Sequence, residues 1–417
     1  MIGEDSSASY LEVIERLSKF LSWSVSNGIQ VLDAVRVDAR WDGVSKKYTL
    51  CIVSTRHLHC FEKLLSIPKT VCLGAKTCSI SKELVAVGLG GGLALNFAIA
   101  QELALGPDSC WFDYLCILPG KGEQSLPMFW SKQERKKLKG TSLYSHIIMD
   151  DQSFADDYEF GFKLLQKYIN FKSDRVNFEL YKKAVSIAAS RAFYIDEYFG
   201  ECLIPWADLF NHSTHNMHVK VYCSKSSSRN TFDMDENEVL IRSVQSVRKY
   251  QELFNTFGLQ SNSSLLHKYG FCELSNKNGF VSIYSPFGKL RHDKTSRAWS
   301  EVYEIYSDGR IEHNLVISIG YYVSFYRNFA YSNKKEFVSE CVSSAKTILN
   351  QQLSEFEVAG GEIIEERNIK ARSGGGFIGA AAANMLRNEE IGTLNSAIQM
   401  VEREGNKLWG KYYRESR

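Results

Sequence analysis

The densest collection of residues able to do chemistry lies between Ser190 and Phe271. The first piece is Ser190-Arg191-Ala192-Phe193. The second is Pro205-Trp206-Ala207-Asp208-Leu209-Phe210-Asn211-His212-Ser213. The third is Phe254-Asn255-Thr256-Phe257-Gly258, followed by Asn262 and by Leu265-Leu266-His267-Lys268-Tyr269-Gly270-Phe271. Together they bring amide, imidazole, guanidinium and carboxylate groups among aromatic rings. His212, His215 and His218 recur at intervals of three, and imidazole is the commonest metal ligand. No cysteine or carboxylate cluster at zinc spacing accompanies them, so no metal centre is expected. Cys202 and Cys272 lie near the same region. A cysteine nucleophile needs a paired histidine, and buried structural thiols are the expectation for both.

In this order and spacing, the three pieces resemble the SET domain of the Rubisco large-subunit methyltransferase class, in its SETD-six-like and ribosomal-lysine methyltransferase forms. Upstream, Trp111-Phe112-Asp113-Tyr114-Leu115 with Leu118-Pro119, then Phe129-Trp130-Ser131 and Leu138-Lys139-Gly140-Thr141, are similar to that class as well. The resemblance runs from Ser24 to Glu273 and continues more weakly to the C-terminus. It implies S-adenosylmethionine as methyl donor and a lysine ε-amine of a protein as acceptor, the candidates being a ribosomal protein, a translation factor or a chromatin-associated protein.

The resemblance also assigns roles. Asn211 and His212 would grip the cofactor in a pseudoknot, with Arg191 near its carboxylate. Leu50 and Cys51 would form the strand edge beside it. Ser190 and Asp208 would lie on the side of the target lysine, Phe193 would wall its channel, and Tyr269 would help close the active site. Methyl transfer needs a neutral amine in line with the sulfonium methyl group, and a narrow aromatic channel supplies that orientation. Aromatic faces also tolerate methyl-ammonium through cation–π attraction. No metal is needed, because the cofactor carries the activated methyl.

Two departures from the class are visible. Its Gly-x-Gly strand corresponds here to Thr49-Leu50-Cys51, which lacks both glycines that allow backbone to approach a ligand closely. Its catalytic tyrosine corresponds to Phe257, which keeps the ring without the hydroxyl. Losing such a bond costs about 1–3 kcal/mol, about ten- to a hundredfold in rate. A SET-like protein-binding module without catalysis is therefore an alternative. A second is a Rossmann-type methyltransferase, because Gly88-Leu89-Gly90-Gly91-Gly92 follows the apolar run Leu84 to Val87. No βαβ alternation follows that loop, and a helix starting near Gly91 is the expected reading.

The elements that must position these residues follow from periodicity. Tyr10 to Asn27 is helical with Gly28 as its cap. Tyr48 to Thr55 and Leu64 to Pro68 read as a small β-unit. Leu93 to Leu105, Glu134 to Leu138, Asp156 to Tyr168 and Asn177 to Arg191 read as helices. Short strands are expected at Met217 to Tyr222 and Val239 to Ile241, either side of a polar loop from Ser224 to Glu238. Phe280 to Tyr284 and Leu315 to Ile319 are strands or short turns. Ser339 to Gln352 and Leu394 to Leu408 are helices around a glycine-rich joint at Ser373 to Gly376. Tyr321, Tyr322, Phe325, Tyr326, Phe329 and Tyr331 form an aromatic run better read as helix core than as a ligand box. The basic run from Lys132 to Lys139 is read as a solvated face.

The fold class is thus α+β: a SET β-fold split by a helical insert and followed by a mainly helical domain. The divisions are residues 20–80 and 181–275 for the two SET parts, 81–180 for the insert and 276–417 for a substrate-holding domain. Over 417 residues, 44% hydrophobic and 24% charged side chains are an ordinary globular mix, and a net charge of +2 gives no basic excess for nucleic-acid binding. Ten scattered cysteines and a polar stretch from Met1 to Ser9 point to reduced thiols in a cytoplasmic or nuclear monomer with no membrane span.

Overall fold

The computed structural model describes residues 9–42, 47–118, 126–223, 236–274, 276–284, 302–325, 333–358 and 376–413. Pro119, most of the polar loop (224–235), Tyr326, Phe329, Tyr331, the first three residues of the glycine-rich joint and the first eight of the chain lie outside them. The chain divides into two compact units. One comprises Met1–Gln124, Asp150–Leu259 and Arg372–Gly374; the other comprises Ser125–Met149, Gln260–Ala371 and Gly375–Arg417.

The first unit opens with the helix Tyr10–Ser26. Ser9 and Glu12 form a reciprocal capping box at its start, each backbone N–H donating to the other's side chain at 2.8 and 3.3 Å. Leu17 and Phe20 are buried along it. Asn27 occupies the C-cap, and Gly28 follows at φ +74°, a conformation natural to glycine. A four-stranded antiparallel sheet runs in the order Gln30–Val31, Lys63–Pro68, Glu238–Ser243, Val219–Tyr222. Its central pairing sets Leu65 opposite Ile241. Two β-segments distant in sequence are therefore joined directly, as a split β-fold requires.

Two smaller antiparallel arrays complete the β-structure of this unit. The hairpin Val35–Asp42 with Lys47–Ser54 pairs from Val35↔Ser54 to Asp42↔Lys47. Leu73–Gly74, Glu201–Leu203 and Ala192–Tyr194 form a three-stranded array.

The helices Ser81–Ala86, Gly91–Leu105 and Phe112–Leu115 lie in the intervening sequence. Gly91–Leu105 is apolar nearly all round because it is buried nearly all round, as a core helix should be. Phe97 on it is fully buried, with its ring 4.9 Å from that of Tyr181. Gly161 on the helix Ser142–Leu165 leaves room for that ring: a Cβ there would come 2.1 Å from Phe97 Cε2. No helix among the described residues is long and apolar enough to cross a membrane.

The Rossmann-type alternative is not supported. Leu84 lies in the helix Ser81–Ala86 rather than in a strand, and Gly90 caps the helix Gly91–Leu105. The only parallel pairing among the described strands lies elsewhere, between Asn211–His212 and Phe254–Asn255.

The second unit packs the helices His313–Phe325, Lys334–Val358 and Gly379–Trp409 with the strand pair Phe280–Tyr284/Val302–Tyr306. Its core holds Tyr303, Leu315, Phe337, Leu349, Val401 and Trp409. Trp409 is fully buried, and its indole N–H donates to the Val316 carbonyl at 2.8 Å. Leu315 to Ile319, expected as a strand or turn, lies inside the helix His313–Phe325, and the strand Val302–Tyr306 was not anticipated. A second core of Leu138, Leu143, Leu266, Cys272 and Leu386 gathers the helix Asn262–Tyr269 onto the start of Gly379–Trp409.

Candidate active site

Asn211 and His212 form a two-residue strand that pairs in parallel with Phe254 and Asn255. Two histidines fasten this pairing. The Phe257 backbone N–H donates to His212 Nδ1 at 2.9 Å, and the Phe254 N–H donates to His218 Nδ1 at 3.1 Å. Each Nδ1 is thus an acceptor, which places the ring proton on Nε2. His212 Nε2 meets the Thr214 hydroxyl at 3.0 Å. His218 is 2% exposed, and burial lowers its pKa from the ordinary value, favouring the neutral ring this bond needs. His215 is exposed. Among the described residues no group of three metal-binding side chains assembles.

The strand edge beside this pairing is the Lys47–Ser54 arm of the hairpin. Leu253 N–H donates to the Ile52 carbonyl at 2.8 Å and Ser54 N–H to the Gln251 carbonyl at 3.0 Å. Residues 251–253 therefore extend the hairpin and lead directly into Phe254–Asn255. Glu252 links the parts: it accepts from Asn211 Nδ2 at 2.8 Å and from Arg40 Nη1 at 2.9 Å. Thr49 and Cys51, standing where glycines are expected, pair across the hairpin with Arg40 and Asp38. Cys51 is only 2% exposed, so its side chain faces protein rather than an open cleft, and burial pushes its thiol up to about 12. Leu50 is half-buried.

Arg191 is the last residue of the helix Phe178–Arg191, and Phe193 lies in the strand that follows. Asn177 caps that helix, accepting the Leu180 N–H at 2.9 Å. Phe193 sits opposite Cys202 and is half-buried. The Ser190 hydroxyl turns back to donate to the Ser186 carbonyl at 2.7 Å.

Asp208, expected on the side of the target lysine, is enclosed by the protein. Its side chain has no exposure. Its Oδ2 accepts the Tyr114 hydroxyl at 2.8 Å, and its backbone carbonyl accepts Arg191 Nη1 at 2.8 Å. Burial raises its pKa above the ordinary carboxylate value and raises that of Tyr114 as well. A carboxylate enclosed in this way holds the interior together and does not face an incoming side chain.

Phe257 lays its ring over His212, with centroids 4.7 Å apart and planes 18° from parallel. Tyr269 belongs to the second unit, at the end of the helix Asn262–Tyr269. Ser261 caps the start of that helix and Gly270, at φ +80°, its end. The Tyr269 ring stands 6.4 Å from that of Phe271, and burial raises the pKa of its hydroxyl.

The two candidate nucleophiles are structural. Cys202 is fully buried with its thiol pushed up to about 12, and Cys272 is fully buried with its thiol well above the ordinary value. The basic run is an exposed face apart from Leu138 and Arg135; the latter's guanidinium donates to the Pro127 and Met128 carbonyls.

Glu252, Arg40 and Tyr114 are the residues that sequence reasoning did not single out for the site, and His218 entered it only through the spacing of the histidines. Each acts through a partner far away in the chain, so local spacing carries no sign of its role. Tyr114 had a signal in lying inside one of the recognised fragments.

No family model matches the chain. Among curated proteins it is 26% identical over 279 residues to the N-lysine methyltransferase SETD6 of Rattus norvegicus, covering 62% of this chain and 54% of that protein. It is 28% identical over 239 residues to SETD6 of Homo sapiens, covering 53% and 48%. The chain spans about half the length of the curated relatives it matches. Among solved structures, the SET domain of LSMT bound to lysine and AdoHcy superposes with a TM-score of 0.72 at 18% identity, covering 96% of this chain and 94% of that one. Rubisco LSMT bound to AdoMet gives 0.66 at the same identity, covering 96% and 95%. The chain therefore has the SET fold, with a helical C-terminal region, and its sequence is similar to those of N-lysine methyltransferases.

Proposed function

We propose that this chain transfers a methyl group from S-adenosylmethionine to a lysine ε-amine of a protein substrate. The observation that carries this reading is the parallel pairing of Asn211–His212 with Phe254–Asn255, joined through Glu252 to the strand edge at Thr49–Cys51. Two sequence fragments that resemble one class of methyltransferase thus pair in space beside the strand that stands where its glycines are expected. The SETD6 similarity and the superposed LSMT structures support the same reading.

In this reading, Asn211 and His212 hold the cofactor through the exposed Asn211 side chain and backbone groups, and Leu50 and Cys51 form the strand beside it. Arg191 supplies positive charge for the cofactor carboxylate, while Ser190 and Phe193 line the approach of the lysine. Tyr269 supplies a phenol to the lysine end. The bound cofactor brings an activated sulfonium methyl; the protein orients the amine and excludes water. Residues 20–80 and 181–275 frame the site, 81–180 form the insert, and 276–417 hold the substrate. The protein works as a monomer in the cytoplasm or nucleus on a ribosomal, translation or chromatin-associated protein.

Calorimetry with S-adenosylmethionine is the first test, and absence of binding sinks the proposal. Cell extract incubated with labelled cofactor and read by mass spectrometry is the second, with a labelled lysine expected. One observation favours a non-catalytic binding module instead: Phe257 has no hydroxyl and its ring is stacked on His212. If the wild type binds cofactor yet labels nothing, and Phe257→Tyr restores labelling, that second reading prevails.

A further inference from the structure

The Arg191–Asp208 pair is built incompletely. Arg191 Nη1 donates to the Asp208 backbone carbonyl at 2.8 Å but stands 3.8 Å from Oδ2, beyond hydrogen-bond reach. Arg191 Nε and Asp208 Oδ1 are both buried and have no hydrogen-bond partner. A buried polar atom left unpaired is costly. Here a donor and an acceptor are orphaned within a single ion pair, although a bidentate approach of guanidinium to carboxylate would satisfy both.

The guanidinium is held in this pose from the Asp208 side. Asp208 sits in the short turn Ala207–Leu209, next to Trp206, which adopts φ +72°, an unusual conformation for a bulky residue. The Trp206 indole is anchored to the Ser24 hydroxyl at 3.0 Å. The Asp208 carboxylate is fixed by the Tyr114 hydroxyl at 2.8 Å. Tyr114 has no exposure, and its ring lies between Phe20 and Trp23, at 6.1 and 6.0 Å. Arg191, at 21% side-chain exposure, has access to solvent, whereas Asp208 and Tyr114 have none.

We propose that Tyr114 and Asp208 are positioning residues. They hold the Arg191 guanidinium off its full ion pair so that its remaining donors are offered to the anionic carboxylate of the methyl-donor cofactor. The inference rests on the proposed function and deepens it: Asp208 leaves the lysine side and becomes the anchor of the cofactor's charge clamp. A guanidinium in complete bidentate pairing with Asp208 would have its charge neutralised and its fork occupied. The Tyr114 bond occupies Oδ2 and prevents that closure.

The test is a pair of ligands. S-adenosylhomocysteine carries the α-carboxylate; its decarboxylated analogue does not. Binding of both is measured by calorimetry to wild type, Tyr114→Phe and Asp208→Asn. Wild type is expected to bind the carboxylate-bearing ligand more tightly. Each variant is expected to lose about tenfold for that ligand, on the scale of one misplaced charged hydrogen bond, and less than about twofold for the analogue. Equal loss for both ligands means that the two residues merely pack the interior, and the proposal fails. Equal affinity of wild type for both ligands also overturns it, while leaving the cofactor assignment intact. Wild type binding neither ligand would instead remove the proposed function itself. Should Asp208→Asn fail to fold, the isosteric Tyr114→Phe carries the same comparison.

Discussion

Burial of the Glu390 carboxyl implies a loss of stability as pH rises, and replacing Glu390 with glutamine is expected to flatten it. Glu390 is 1% exposed on the helix Gly379–Trp409. Its carboxyl accepts the Ser142 N–H at 3.0 Å and the Ser142 hydroxyl at 2.7 Å. Burial outweighs those bonds and pushes its pKa up to about 8, from an ordinary 4.5. Arg387 offsets little of this, because its guanidinium donates to the Lys139 and Phe356 carbonyls. Between pH 4.5 and 8 the folded state therefore keeps a proton that the unfolded state has released. Stability is unpenalised below the lower value and falls as pH rises toward the upper one. The slope is at most about 1.4 kcal/mol per pH unit, or up to about 4 kcal/mol between pH 5 and pH 8.

The neighbouring Glu389 acts in the same direction. Burial pushes it up to about 7, and its carboxylate accepts from Asn262 Nδ2 at 2.5 Å. Two adjacent buried carboxyls titrate as a pair, so the first ionisation makes the second harder. Urea unfolding followed by circular dichroism at pH 5, 6, 7, 8 and 9 measures the effect. Glu390→Gln should remove about half of the wild-type decline, leaving the share due to Glu389. Parallel stability curves for wild type and variant across this range would refute the reasoning, as would a wild type more stable at pH 8 than at pH 5.

Other substitutions probe the first unit. His218→Phe leaves the part-buried Phe254 N–H without its acceptor and should cost about 1–3 kcal/mol in urea unfolding at pH 7.5. It should also remove an acid sensitivity: because burial lowers the His218 pKa, its contribution is complete above the ordinary 6.5 and is lost as pH falls below that value. Gly161→Ala drives a methyl into the Phe97 ring and should lower stability by about 1–3 kcal/mol, read as a drop in Tm. An unchanged Tm would mean that the ring and the helix separate freely.

The helices with strong periodicity were legible in sequence because local pattern decides them. Phe178–Arg191 begins one residue after its expected start, with Asn177 as the cap. The strands Lys47–Ser54, Lys63–Pro68 and Glu238–Ser243 were legible as β-rich runs, but their partners were not. Val35–Asp42 carries Arg36, Asp38, Arg40 and Asp42 on one face, and its register with Lys47–Ser54 depends on pairing rather than composition. Leu315 to Ile319 reads equally well as strand or helix when taken as a short apolar run, and the long helix around it was decided by packing. At the candidate site, roles for Asn211, His212 and Arg191 came only from the resemblance of their fragments. It gave no indication of Glu252, which acts on Asn211 from across the parallel pair.

Phe257 shows how the missing hydroxyl and the intact fold coexist. What the parallel pairing takes from this residue is its backbone N–H, donated to His212 Nδ1, and the flat face of its ring, laid over the same imidazole. Neither contribution needs an oxygen, so phenylalanine maintains the pairing of Asn211–His212 with Phe254–Asn255 as well as tyrosine would. The fold therefore exerts no pressure to keep a phenol at position 257. Any demand for one comes from chemistry alone, and the proposed function assigns a phenol role to Tyr269. Removing its hydroxyl with Tyr269→Phe should then lower the rate of methyl transfer by about ten- to a hundredfold, the cost of one lost transition-state hydrogen bond, with cofactor affinity measured separately by calorimetry. A Tyr269→Phe variant that methylates at the wild-type rate would leave the site without a phenol in any catalytic role.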